Sequence, residues 1–114
     1  MNESLDKLLH AQCRAIKQNE SPLNLTEIED LRELTPHWQY CANENVLCQT
    51  FRFESYRATI DFVNLAAAVA DAQDHHPEME VGYNRCKINY STHSVNGITL
   101  NDFICAAKID EKLS

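Results

Sequence analysis

The chain has no cluster of basic residues, no C-x-x-C pair, no bilayer-length apolar run, no internal repeat and no low-complexity segment. Each absence removes a class of protein. With ten basic and seventeen acidic residues the net charge is -7, so a nucleic-acid backbone would be repelled and direct nucleic-acid binding is not expected. Five cysteines, Cys13, Cys41, Cys48, Cys86 and Cys105, are an odd number without zinc-ribbon spacing, which argues for reduced thiols and against a disulfide framework. The opening residues have no basic segment leading into an apolar one, and the expectation is a soluble, unexported, cytoplasmic protein with no membrane role.

What is present is ordinary for one folded domain. The 114 residues are 44% apolar and 24% charged, enough for one core and too few for two. Leu5, Leu8, Leu9 and Ile16 fall at roughly helical spacing before the polar stretch Gln18 to Pro22, so residues 1–24 read as a partly helical arm. Residues 25–114 read as the main domain. Thr26 followed by Glu29 has the spacing of a capping box opening a short helix that ends before Pro36. Trp38 to Tyr40 and Val46 to Phe53, around the polar Asn43-Glu44-Asn45, predict a hairpin.

Ser55 is the expected N-cap of the longest helix, which carries Ile60, Val63, Ala67 and Ala70 on one face and Phe62, Leu65, Ala66 and Val69 on a second. Val81 to Thr92 returns to strand character, with Cys86, Ile88, Tyr90 and Thr92 alternating against Arg85, Lys87, Asn89 and Ser91. His93 continues the polar register. Asn96-Gly97 signals a turn, and Thr99 with Asp102 opens a last helix. Helix, hairpin, helix, hairpin, helix predicts an α+β fold, a four-stranded antiparallel sheet with helices packed on one face.

Three of the five histidines, His75, His76 and His93, fall within nineteen positions. Imidazole alone among side chains has an unperturbed pKa between pH 5 and 8, so the trio suggests proton transfer or ligation. The spacing matches no familiar zinc motif, and no metal is expected. Asp71 stands four residues before His75, where a continuing helix would make the two neighbours. Pro77 disfavours helix at His76, which sets the double histidine at a helix end. His10 and His37 read as surface residues, and Trp38, Phe51 and Phe53 as core or interface.

The run Asp74-His75-His76-Pro77-Glu78, the Tyr83-Asn84-Arg85 turn, Ser91-Thr92-His93 and Gly97 through Asp102-Phe103 together resemble the pterin-4a-carbinolamine dehydratase family, over roughly Leu25 to Asp110. The resemblance implies an enzyme acting on 4a-hydroxytetrahydropterin without metal or organic cofactor, in pterin recycling for aromatic amino-acid hydroxylation. It puts the family's active-site histidines on His75, His76 and His93. Asp71, Asp74 and Asp102 become the substrate-binding carboxylates, with Asp102 at the rim of the pterin site. Asn101 stands where animal members have arginine, and Met79 where tryptophan is frequent. His75, supported by Asp71, and His93 are then the expected acid/base pair, with His76 holding the pterin. The resemblance further implies a homodimer or a homotetramer built from dimers. Because animal members also serve as dimerisation cofactors of a homeodomain transcription factor, a non-enzymatic protein-binding module is the alternative.

Overall fold

The computed structural model describes residues 3–17 and 19–114. Met1 and Asn2, and Gln18 from the expected polar loop, lie outside the described residues. The elements are α1 (Leu5–His10), α2 (Leu25–Arg32), β1 (Gln39–Cys41), β2 (Val46–Arg52), α3 (Tyr56–Gln73), β3 (Glu78–Val81), β4 (Arg85–Tyr90), a 3-10 turn (His93–Val95) and α4 (Leu100–Leu113).

Both hairpins join one antiparallel sheet of order β1-β2-β4-β3, because β2 also pairs with β4, placing Leu47 opposite Tyr90 and Phe51 opposite Cys86. Side chains alternate across a strand, so Leu47 and Phe51 of β2 and Cys86, Ile88 and Tyr90 of β4 share the covered face and are buried. Thr50, Arg52 and Arg85 of the opposite face are exposed. The fold is the α+β architecture that the patterning predicts. α4 lies deepest, with Asn101 to Ala107 and Ile109 all buried.

α3 begins as expected at Ser55, whose hydroxyl oxygen accepts the Ala58 N–H at 3.0 Å. Its core stripe is Phe62, Ala66, Val69 and Ala70, while Ile60, Val63 and Ala67 remain half-buried. The helix stops at Asp74, which adopts the left-handed conformation with φ 50°. The His75 N–H then reaches back to the Ala70 carbonyl at 3.1 Å, a Schellman-type closure that turns the chain out of the helical register.

Four expectations need correction. The capping box of α2 is Asn24 with Glu27, joined by reciprocal bonds of 2.9 and 3.0 Å, so the helix opens two residues before Thr26. β3 begins at Glu78, directly after Pro77, rather than at Val81. His93 leaves the β4 register and sits in the 3-10 turn. Residues 11–17 and 19–24 are non-helical and Ile16 lies outside α1, yet the arm is docked onto the domain. Leu8 is fully buried, and the Asn101 side chain accepts the Arg14 N–H at 3.1 Å and donates to the Arg14 carbonyl at 2.8 Å. The Leu23 N–H adds a bond to the Ile98 carbonyl at 2.8 Å.

Candidate active site

The site forms where the end of α3, the end of β4 and the start of α4 meet. Because the Asp74 closure turns the chain back toward α4, His75 Nε2 comes to 2.6 Å from Asp102 Oδ1. A carboxylate only accepts, so the ring nitrogen donates. Asp102 is wholly buried, and its other oxygen accepts the Thr92 hydroxyl at 3.0 Å and the Thr99 N–H at 2.9 Å. The two threonine hydroxyls lie 2.8 Å apart. Three donors thus hold the carboxylate fixed and offset the cost of removing it from water.

Tyr90 provides the other support. Its ring stacks on the imidazole, with centroids 5.3 Å apart and planes 15° from parallel, and its hydroxyl donates to the His75 carbonyl at 3.1 Å. Ring plane, ring edge and backbone are all fixed. Burial works against charging His75, but the hydrogen bond and charge of Asp102 outweigh it and raise the imidazole pKa above its ordinary value.

Asp71, expected beside His75, instead pairs with His76, Oδ1 to Nε2 at 2.9 Å. The i,i+4 geometry requires a helix that continues, and the left-handed residue at Asp74 ends it. This second pair is solvent-exposed, with side chains 58% and 79% accessible. Asp102 is likewise corrected from a rim position to a buried one behind His75. Asp74 is exposed at the helix end.

His93 is exposed on the turn after Thr92, so the buried bonds His75 to Asp102 to Thr92 lead to its neighbour in the chain. It borders a cavity of about 390 Å³ whose wall includes Glu44, Asn45, Glu78, Asn89 and Ser91. His75 and His76 do not line that cavity. Among the described residues, no group of three His, Cys, Asp or Glu side chains is arranged to hold a metal ion, and no helix is long and apolar enough to cross a membrane.

Reading the sequence for chemistry missed Tyr90, Thr92 and Thr99 as parts of the site. Their signals were present as structural ones: the β4 alternation puts Tyr90 and Thr92 on the covered face, and the Thr99 and Asp102 pair marks a helix start.

Fold and site together define an α+β protein with a part-buried imidazole held by a buried carboxylate at one end of its sheet. Residues 21–112 match the family model described as pterin 4 alpha carbinolamine dehydratase, and the chain belongs to that family. A relative from Nitrosomonas eutropha, named pterin-4-alpha-carbinolamine dehydratase, is 42% identical over 104 residues, covering 90% of each chain. One of the same name from Xylella fastidiosa is 42% identical over 108 residues, covering 95% of this chain and 92% of its own. Among solved structures, one described as a transcriptional coactivator/pterin dehydratase from Brucella Melitensis superposes with a TM-score of 0.75 at 30% identity, covering 80% of this chain and 97% of that one.

Proposed function

We propose that this protein is a dehydratase that converts a 4a-hydroxytetrahydropterin to the quinonoid dihydropterin by histidine acid/base catalysis. Family membership supports the reaction class. The observation that carries the mechanism is the part-buried His75 held by the buried Asp102, which is bonded onward to Thr92 beside His93.

The C4a–O bond breaks as the hydroxyl takes up a proton and leaves as water, and a ring nitrogen gives up its proton. One acid and one base near neutral pKa suffice. His75, whose charged form Asp102 favours, is the acid, and with Nε2 engaged by the carboxylate its Nδ1 proton is the one to deliver. His93, exposed beside the cavity, is the base that receives the ring proton. His76, paired with Asp71, holds the substrate, and Asp74 lies at the same helix end. The substrate would come from a hydroxylase that consumes tetrahydropterin, with aromatic amino-acid hydroxylation as the proposed setting.

Stopped-flow measurement of carbinolamine dehydration tests this. His75→Ala and His93→Ala should each lower kcat by about 10²-fold or more, the usual contribution of a positioned proton-transfer group. His76→Ala should mainly raise KM. Wild-type turnover in all three folded variants would remove the enzymatic reading.

A further inference from the structure

Outside the site, two thiols face each other on the open side of the sheet. Pairing of Gln39 with Cys48 and of Cys41 with Val46 makes Cys41 and Cys48 diagonal neighbours across β1 and β2, on the same face. Their sulfurs lie 2.6 Å apart. The other close pair, Cys13 and Cys105, is 3.7 Å apart, and Cys105 is fully buried.

Cys41 and Cys48 also line an open cavity of about 460 Å³ shared with Lys87 and His37, so a small molecule can reach the pair. We propose that Cys41 and Cys48 are a redox modification site, closing to a disulfide by exchange with a low-molecular-weight disulfide of the glutathione type.

Cys41 opens the exchange because it is half-buried while Cys48 is only 5% exposed. Burial, and then the adjoining Cys41 thiol, push the Cys48 thiol up to about 12. The Cys41 thiolate attacks one sulfur of the small disulfide, whose S–S bond breaks and releases one thiolate. Capping Cys41 removes its charge and its hydrogen bond from Cys48, easing loss of the Cys48 proton to solvent. The Cys48 thiolate then attacks the Cys41 sulfur and expels the second small thiol. The protein loses two electrons and two protons, and the small disulfide becomes two thiols.

The bond would bracket the turn that walls the cavity beside His93. Asn45 in that turn accepts the Tyr40 hydroxyl at 2.7 Å and donates to the Asn96 carbonyl at 2.6 Å. Oxidation should therefore stiffen this wall, since a cross-link restricts the loop that it closes.

Folded protein is incubated with excess glutathione disulfide, quenched with an alkylating agent and mapped by peptide mass spectrometry. The expected product has one Cys41–Cys48 bond, reversed by dithiothreitol. It should be absent from Cys41→Ser and Cys48→Ser and retained in Cys13→Ser. Recovery of both thiols in alkylated form, a stable glutathione adduct on Cys41 in wild type, or a Cys13–Cys105 bond in preference would overturn the proposal. Amide exchange of residues 42–45 should slow several-fold on oxidation, and an unchanged rate would overturn the link to the cavity wall.

Discussion

Asp102 acts through His75, so its replacement separates positioning from contact with substrate. In Asp102→Asn the buried acceptor becomes a neutral amide of similar size, and the force that holds the His75 pKa up is lost. An acid catalyst works while protonated, so activity falls as pH rises through its pKa. The alkaline limb of the kcat profile in Asp102→Asn should therefore move to lower pH, whereas a merely structural role would lower activity equally at all pH. The same shift bears on stability. With a folded pKa above the unfolded value of about 6.5, protonated His75 stabilises the fold fully below that value, and the contribution is lost as pH rises through the folded pKa. The stability difference between wild type and Asp102→Asn in urea unfolding should therefore narrow as pH rises through this window. Tyr90→Phe keeps the ring stack but removes the bond to the His75 carbonyl, and should cost about 1 kcal/mol of unfolding free energy.

At the scale of elements, the arm is part of the core. Leu8→Ala removes a fully buried side chain between α1 and the rest of the molecule and should cost about 2–5 kcal/mol in urea unfolding. Gly97 tests the arm from the opposite side: a Cβ built there would meet Pro22 Cβ at 2.7 Å, so Gly97→Ala must displace the arm at Pro22. Such overpacking should cost about 1–3 kcal/mol, read as a lowered denaturation midpoint. How much of this was legible depended on the range of the interaction. The β4 alternation is local, and it named the covered face correctly down to Tyr90 and Thr92. The Thr99 and Asp102 pair is local too, and it placed the start of α4. By contrast, Asn24-Leu25-Thr26-Glu27-Ile28-Glu29 carries the capping-box spacing twice, and tertiary anchoring of Leu23 on Ile98 accompanies the earlier one, which is the one that forms. The partner of His75 was misread for a related reason. One left-handed residue at Asp74 exchanged Asp71 for an aspartate twenty-seven positions away, a long-range consequence that spacing does not encode.

For the whole molecule, the open question is what covers α3. Its inner stripe is buried against the core, while Ile60, Val63 and Ala67 form a second apolar line only partly covered within one chain. We propose that a second copy of this chain packs there, giving the expected homodimer or homotetramer, because an isologous contact brings one apolar stripe against its own copy. The net charge of -7 opposes such association at long range, and apolar burial at the contact must outweigh it. Salt screens the repulsion without weakening the apolar term, so assembly should strengthen as ionic strength rises. Light scattering at micromolar concentration should give a mass of at least two chains. Val63→Glu, which places a carboxylate in the middle of that line, should reduce the mass to one chain while the far-ultraviolet circular dichroism stays unchanged. A wild-type mass of one chain at both low and high salt would exclude the assembly, and an unaltered oligomer in Val63→Glu would move the contact away from α3.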